Sequence, residues 1–315
     1  STLFPYTTLF RSASKGETPY MNLTNDNFYG GFGLMDENGN TFVEETIYYA
    51  RAFFYAGRKE NGNWIWEEKE IGLERCKLEK FGKKYQDMFK DKDLNNMYCL
   101  ENVDVTLEGY ATSDTYSYFE VKLYPCNVTA RDGRSCMPNY IIDAYLKRNN
   151  FQFKMQDIEL TPQDYKSPIQ VREKDIAGPV YSTLYQQIYA YLQVTNIETD
   201  EDIIGFGLSK NRHEKYLKYD LSWIISAPMA DDIFTSGNAL CVITVQLSEK
   251  VLTQKRTYTT LIEVLGDVGG LMEVILMILN ILLSFVVDKK YEKSLINNLF
   301  AFIGLRIISS FFSTF

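Results

Sequence analysis

The sequence predicts a membrane protein: a mainly β, sandwich-like ectodomain with one or two short helices, followed by a C-terminal transmembrane α-helix. Three observations lead there. Val268 to Val287 is a run in which only Glu273, Asn280 and Ser284 are polar. Twenty residues at about 1.5 Å each match the ~30 Å hydrocarbon core of a bilayer. Between residues 13 and 258, short apolar-alternating segments recur with turn residues between them, the pattern of a sandwich. Finally, 23 Tyr and 20 Phe bring the aromatic share to 15%, which suits strands more than helices.

The elements follow in chain order. Ser1 to Ser12 reads as the in-frame translation of a sequencing adapter and is set apart from the fold. Any signal peptide or first span would then belong to native sequence ahead of residue 13. Met21 to Glu45 is loop-rich, with strands expected at Phe32 to Met35 and Thr41 to Glu44 around the turn Asp36-Glu37-Asn38-Gly39-Asn40. Ile47 to Ala56 and a return strand from Trp64 toward Leu73 form a hairpin across Asn61-Gly62-Asn63. Leu78 to Asp93 is Lys-rich and suits a short helix.

Val103, Val105 and Leu107 alternate with polar residues, as do Phe119, Val121 and Leu123 with Glu120 and Lys122. Both are strands with one wet face. Ile142, Tyr145 and Leu146 fall at helical spacing within Asn139 to Asn149. Tyr181 to Asn196, Ile203 to Leu208 and Leu221 to Ser226 are further strands. Ala239 to Leu247 is the clearest, with an inner face of Cys241, Ile243, Val245 and Leu247. The span is placed at 259–288 and a cytoplasmic tail of amphipathic or truncated character at 289–315. Lys289, Lys290 and Lys293 would anchor the cytoplasmic end.

Five cysteines, Cys76, Cys99, Cys126, Cys136 and Cys241, share the domain with two sequons, Asn22-Leu23-Thr24 and Asn127-Val128-Thr129. Next to a span, these favour an oxidising compartment and mark Asn22 and Asn127 as glycosylation candidates. Cys126 and Cys136 flank the turn Arg131-Asp132-Gly133, within reach of a hairpin disulfide. Cys76 and Cys99 would supply the second bridge, although four cysteines admit three pairings. Cys241, on an apolar strand face, reads as a buried free thiol.

Within the span, Glu273 and Asn280 lie two helical turns apart, near a stripe holding Gly266, Gly269, Met277 and Ser284. The stripe either lines a helix bundle or pore, or lets Glu273 reach the interface. The expected partners are the lipid bilayer, a second copy or partner helix along this stripe, and an extracytoplasmic ligand of unknown chemistry.

Catalytic chemistry is poorly represented. The single histidine, His213, sits in the polar run Ser209 to Lys215, and no serine or thiol lies in a nucleophile motif. Gly30-Gly31-Phe32-Gly33 lacks the spacing of a phosphate loop. Asp36 to Asn40 lacks the glycine position and closing glutamate of a calcium loop. No catalytic, metal or cofactor-binding residue is assigned, and a non-enzymatic protein is expected. A net charge of -8 without a long basic run argues against nucleic acid.

Several runs together carry a family resemblance. They are Gly31-Phe32-Gly33-Leu34-Met35-Asp36, Phe42 to Tyr49, Glu74-Arg75-Cys76, Tyr98-Cys99-Leu100, Tyr118 to Leu123, Cys126, Cys136, Arg256 to Leu261, Gly269-Gly270 and Ser294 to Phe300. In this order the chain resembles a large, poorly characterised ciliate family of two-pass transmembrane proteins, over roughly Met21 to Phe300. The resemblance implies a first span near the N-terminus, a luminal or extracellular domain, a Gly-Gly second span and a cytosolic tail, with no established catalytic residues. The segment after Phe300 departs from the charged tails of that family. The functional expectation is a disulfide-stabilised binding or sensing domain at the plasma membrane or an endomembrane. The alternatives are a subunit of a two-span oligomeric ion channel and an endomembrane cargo receptor.

Overall fold

A computed structural model describes residues 7–12, 18–92, 94–126, 135–160, 169–199, 212–229, 234, 238–256 and 260–312. The chain divides into a β unit, Tyr6–Thr199 with Arg212–Arg256, and a second unit that includes Thr257–Phe315. In chain order the β unit contains β1 (Thr7–Ser12), β2 (Tyr20–Thr24), β3 (Gly30–Met35), β4 (Thr41–Phe42), β5 (Tyr48–Glu60), β6 (Asn63–Ile71), β7 (Leu73–Arg75), α1 (Lys83–Lys92), β8 (Tyr98–Leu100) and β9 (Asp104–Glu108). It continues with β10 (Thr115–Pro125), α2 (Asn139–Leu146), β11 (Asn150–Leu160), β12 (Ile169–Pro179), β13 (Leu184–Thr199), β14 (Arg212–Pro228) and β15 (Cys241–Arg256). The protein is mainly β with few helices, as the alternating segments predict.

One sheet has the order β14-β13-β15-β10-β5-β6, with β1 added beside β15. Its neighbours are antiparallel except β13 and β15, which are parallel. A second sheet has the order β12-β11-β3-β8-β7, with β4 on β3, and β2 and β9 form a separate pair. The two larger sheets contribute to one core cluster. At its centre Phe119 of β10 meets Phe28 and Phe32 edge-on, at centroid distances of 5.7 and 6.5 Å. Phe32 of β3 in turn stacks on Phe153 of β11 at 4.7 Å. Such pairs contribute beyond their buried area.

The hairpin β5–β6 closes at Glu60↔Asn63 through Asn61 and Gly62, with φ of 51° and 84°. Positive φ at both central residues is the twist-matched two-residue turn that Asn-Gly favours. Asp36 ends β3 as a turn, its Oδ1 accepting from the backbone N–H of Asn38 and Asn40 at 2.9 and 2.8 Å. Phe119, Val121 and Leu123 are fully buried, and so are Cys241, Ile243 and Val245, matching the expected inner faces.

Other expectations are revised. Ile142 and Leu146 anchor α2 in the core, but Tyr145 stands 46% exposed. His213 lies within β14, whose strand begins earlier than the apolar residues at Leu221 to Ser226 suggest. The strand expected from Phe32 begins two residues earlier, at Gly30. A Cβ on Gly31 would stand 2.9 Å from the Leu94 side chain. Strands β11 and β12 had no counterpart in the sequence reading. Ile203 to Leu208 lies outside the described residues.

Beyond the β unit stands one long helix, α3 (Leu261–Phe312). It passes through Lys289, Lys290 and Lys293 without a break. Within it, Val268–Phe300 is long and apolar enough to cross a membrane, at about 1.5 Å per residue. Every described side chain of that stretch is exposed.

Candidate functional site

Alternation divides each strand of the large sheet between two faces. The inner face is the aliphatic and phenylalanine core. The outer face is built from the intervening residues, and the register arranges them in rows. Across β6, β5, β10, β15, β13 and β14, one row reads Glu68, Tyr55, Tyr118, Gln246, Tyr191, Leu221. The next reads Glu70, Phe53, Glu120, Thr244, Tyr189, Trp223.

On β5, β6 and β10 the rings pack against one another in two groups. Tyr55 stacks on Tyr118 at 5.0 Å and Tyr49 on Tyr124 at 5.2 Å. Trp66 stands edge-on to Tyr118 at 5.8 Å and stacks on Trp64 at 5.3 Å. Gly57 makes this possible, because a Cβ there would meet the Trp66 ring at 2.8 Å. On β15 the outward residues are short: Val242, Thr244 and Gln246. They are buried, while Tyr116, Tyr118, Tyr189 and Tyr191 on the neighbouring strands are half-buried.

Polar groups are tied together between the rings. The Tyr116 hydroxyl donates to Gln246 Oε1. Lys122 Nζ donates to Tyr55 Oη at 3.0 Å and pairs with Glu120 at 3.1 Å. The Thr244 hydroxyl donates to Glu120 Oε1 at 3.2 Å. Burial works against the Lys122 ammonium, yet its bonds to Tyr55 and Glu120 outweigh this and hold it charged above the usual range. Burial first, and the Glu120 carboxylate second, push the Tyr118 phenol up to about 12. The Tyr118 phenol is therefore a neutral donor and acceptor at physiological pH.

On the opposite side of β5 and β6, an open cleft of about 410 Å3 is lined by Phe54, Ile65 and Val105, with Arg58, Lys69, Asp104 and Glu108 around it. Its lining carries both charges, with Glu67 beside the groups already named. Among the described residues no group of acidic, His and Cys side chains could hold a metal ion.

A buried ionic group lies in the second sheet. Lys154 Nζ and Glu173 Oε1 stand 3.3 Å apart with side chains only 10% and 5% exposed. The Tyr29 hydroxyl donates to Glu173 Oε2 at 2.8 Å. Burial raises the Glu173 carboxyl above its ordinary range, against the pull of Tyr29 and Lys154.

The residues expected from sequence are placed as follows. Disulfides join Cys76 to Cys99 and Cys126 to Cys136, and Cys241 is a buried free thiol. The Cys76–Cys99 bridge lies in a small second core with Tyr29, Phe81, Tyr85, Phe89, Leu94 and Met97. Asn22 is exposed on β2, and Asn127 lies outside the described residues. Gly266, Gly269, Glu273, Asn280 and Ser284 are all exposed on α3, and no atom approaches a Cβ built on either glycine within 4 Å. Ser284 Oγ donates within the helix to Ile281 O at 3.0 Å.

Two features escaped the sequence reading. The aromatic pavement had a visible sign in the period-2 tyrosines Tyr116 and Tyr118, and Tyr189 and Tyr191. The start of α3 is a reciprocal cap: Thr260 N donates to Glu263 Oε2 at 2.9 Å, and Glu263 N donates to Thr260 Oγ1 at 3.2 Å. Its sign is the spacing Thr-x-x-Glu.

A family model described as the N-terminal domain of an uncharacterised 80 kDa protein matches residues 31–248. The chain belongs to this family. The family domain runs from within β3 to within β15, so it includes both disulfides and the rows of the aromatic face, while α3 lies beyond the match. The match supports neither the ciliate origin nor the two-span topology that the resemblance implied. No curated protein matches the chain. Among solved structures, the crystal structure of Erv41p aligns at 9% identity and a TM-score of 0.21, covering 76% of this chain and 99% of that one. A likeness at that TM-score carries no argument.

Proposed function

We propose that this chain is a membrane-anchored, non-enzymatic recognition protein. Its β domain is extracellular or luminal and binds a ligand through the aromatic face of the large sheet. The carrying observation is a covalent join. A domain closed by two disulfides leads into a helix whose candidate span, Val268–Phe300, is exposed at every described residue. Exposed apolar surface on this scale is stable in lipid and a liability in water. Disulfides persist in oxidising compartments, so the domain belongs on the non-cytosolic side. The stripe from Gly266 to Ser284 is the surface for a second copy or a partner helix, since small residues permit close approach.

Alkaline carbonate extraction of the expressed chain tests the anchorage, with retention in the pellet expected. A glycosidase-sensitive mobility shift, lost in Asn22→Gln, would place the domain on the non-cytosolic side. Release into the supernatant, or free thiols at Cys76 and Cys126 in freshly alkylated cells, would sink the reading.

A further inference from the structure

The outer face of the large sheet has a chemistry narrower than general stickiness. All three tryptophans of the chain, Trp64, Trp66 and Trp223, stand on it. Trp66 and Trp223 are 44% and 63% exposed. Tyr118 and Tyr191 flank the short side chain of Gln246 from either side, which puts their strands about 10 Å apart at ~4.8 Å per strand. Between the tyrosine rows Val242, Thr244 and Gln246 of β15 are buried.

Its charge is balanced although the chain carries a net -8. Lys122 is paired with Glu120, and Arg51 with Glu70 at 2.8 Å. A phosphate-bearing or anionic-lipid surface calls for clustered, unpaired cations, and the described residues of this face show no such cluster. A stable protein interface calls for an apolar centre depleted of charge, whereas here the central rows hold Glu120, Lys122, Thr244 and Gln246. What matches aromatic faces interleaved with neutral hydroxyls and amides is a molecule with the same duality. A sugar ring has it, with C–H bonds on its faces and hydroxyls around its rim.

We propose that this face binds a neutral oligosaccharide. Sugar rings stack on Tyr189 and Trp223, which pair across β13 and β14, and their hydroxyls bond to Glu120, Lys122 and Gln187. The proposal rests on the reading of this face as the binding surface and names its ligand class.

The test uses the full chain in detergent, titrated with chitotetraose, maltotetraose and a high-mannose N-glycan. Tryptophan fluorescence and saturation-transfer NMR are the readouts, because every tryptophan reports on this face. At least one saccharide is expected to bind and to shift the emission. Tyr189→Ala and Trp223→Ala are each expected to weaken it about tenfold, the size of a lost aromatic contact. Glu120→Gln, which keeps the shape, weakens it severalfold. Tyr20→Ala, at an exposed site on β2, leaves it unchanged. No binding of any of the three saccharides overturns the proposal, as does equal binding by all variants or equal loss in the Tyr20 variant. A Tyr189-dependent change in oligomer mass by light scattering, with no saccharide effect, assigns the face to self-association and also overturns it. Carbonate extraction of the same preparations keeps the questions apart. A retained protein that ignores all three sugars loses this ligand class and keeps its membrane anchorage.

Discussion

The two faces of the large sheet are written in the same strands, one residue apart, yet they are built by different rules. Inward, Phe119, Val121, Ile188, Ile243 and Val245 are fully or almost fully excluded from water. Outward, Tyr118, Glu120, Tyr189 and Tyr191 stay half-exposed. The inner face obtains stability from volume and shape. The outer face uses large rings, which cover the small residues of β15 while leaving hydroxyls at the surface. One teaches what the fold requires, the other what a folded sheet can present.

Substitution of adjacent residues should expose this division. Phe119→Ala is expected to cost about 4 kcal/mol, as for large-to-small changes in a packed core, measured by denaturant unfolding. A cost near that of an outer residue would break the comparison.

The second sheet sharpens it, because there a charged pair is inside. Lys154→Met leaves Glu173 buried without its cation and is expected to cost about 3 kcal/mol at neutral pH. The carboxyl of Glu173 is already raised by burial above the ordinary 4.5, so folding favours its protonated form. A raised carboxyl contributes stability below its unfolded value and loses it as pH rises through the folded value. The penalty in Lys154→Met should therefore be largest near pH 7 and shrink toward about pH 4.5. A penalty that grew on acidification would refute this assignment.

Gly57→Ala tests the outer face through its support. The added Cβ meets the Trp66 ring at 2.8 Å, so the ring must move. A cost of about 2 kcal/mol is expected, as for overpacking, with a shift in tryptophan emission. Unchanged emission would mean that Trp66 does not lie over β5. The smallest effect belongs to Tyr118→Ala, about 1 kcal/mol for a half-exposed aromatic contact. A much larger value would make the pavement structural rather than presented.

The inner faces were legible because aliphatic and aromatic residues at period 2 leave few alternatives, as at Val103 to Leu107, Phe119 to Leu123 and Cys241 to Leu247. Strand β11 was not, because it is buried on both sides. Gln152, Lys154 and Gln156 are as inaccessible as Phe151, Phe153 and Met155, so its polar residues look like a wet face or a loop. What makes their burial tolerable is remote: the Gln156 side chain bonds to the backbone at Tyr29 and Asn27, and Lys154 pairs with Glu173. Local pattern has no access to such partners.

The outer face was half legible. The tyrosine alternation is in the sequence, but the parallel pairing that sets β13 beside β15 joins segments about fifty residues apart. That is a matter of topology. The three lysines at Lys289 to Lys293 read as the end of a span. Lysine is also a good helix former, and α3 simply continues.

The position of β15 has a mechanical meaning. It is held by hydrogen bonds on both flanks, to β13 on one side and to β10 on the other, and only residues 257–260 separate its end from α3. A pull along the axis of this strand would load many ladder bonds at once instead of peeling them one by one. Strain arriving from the helix would thus be shared across the sheet before any single strand came loose.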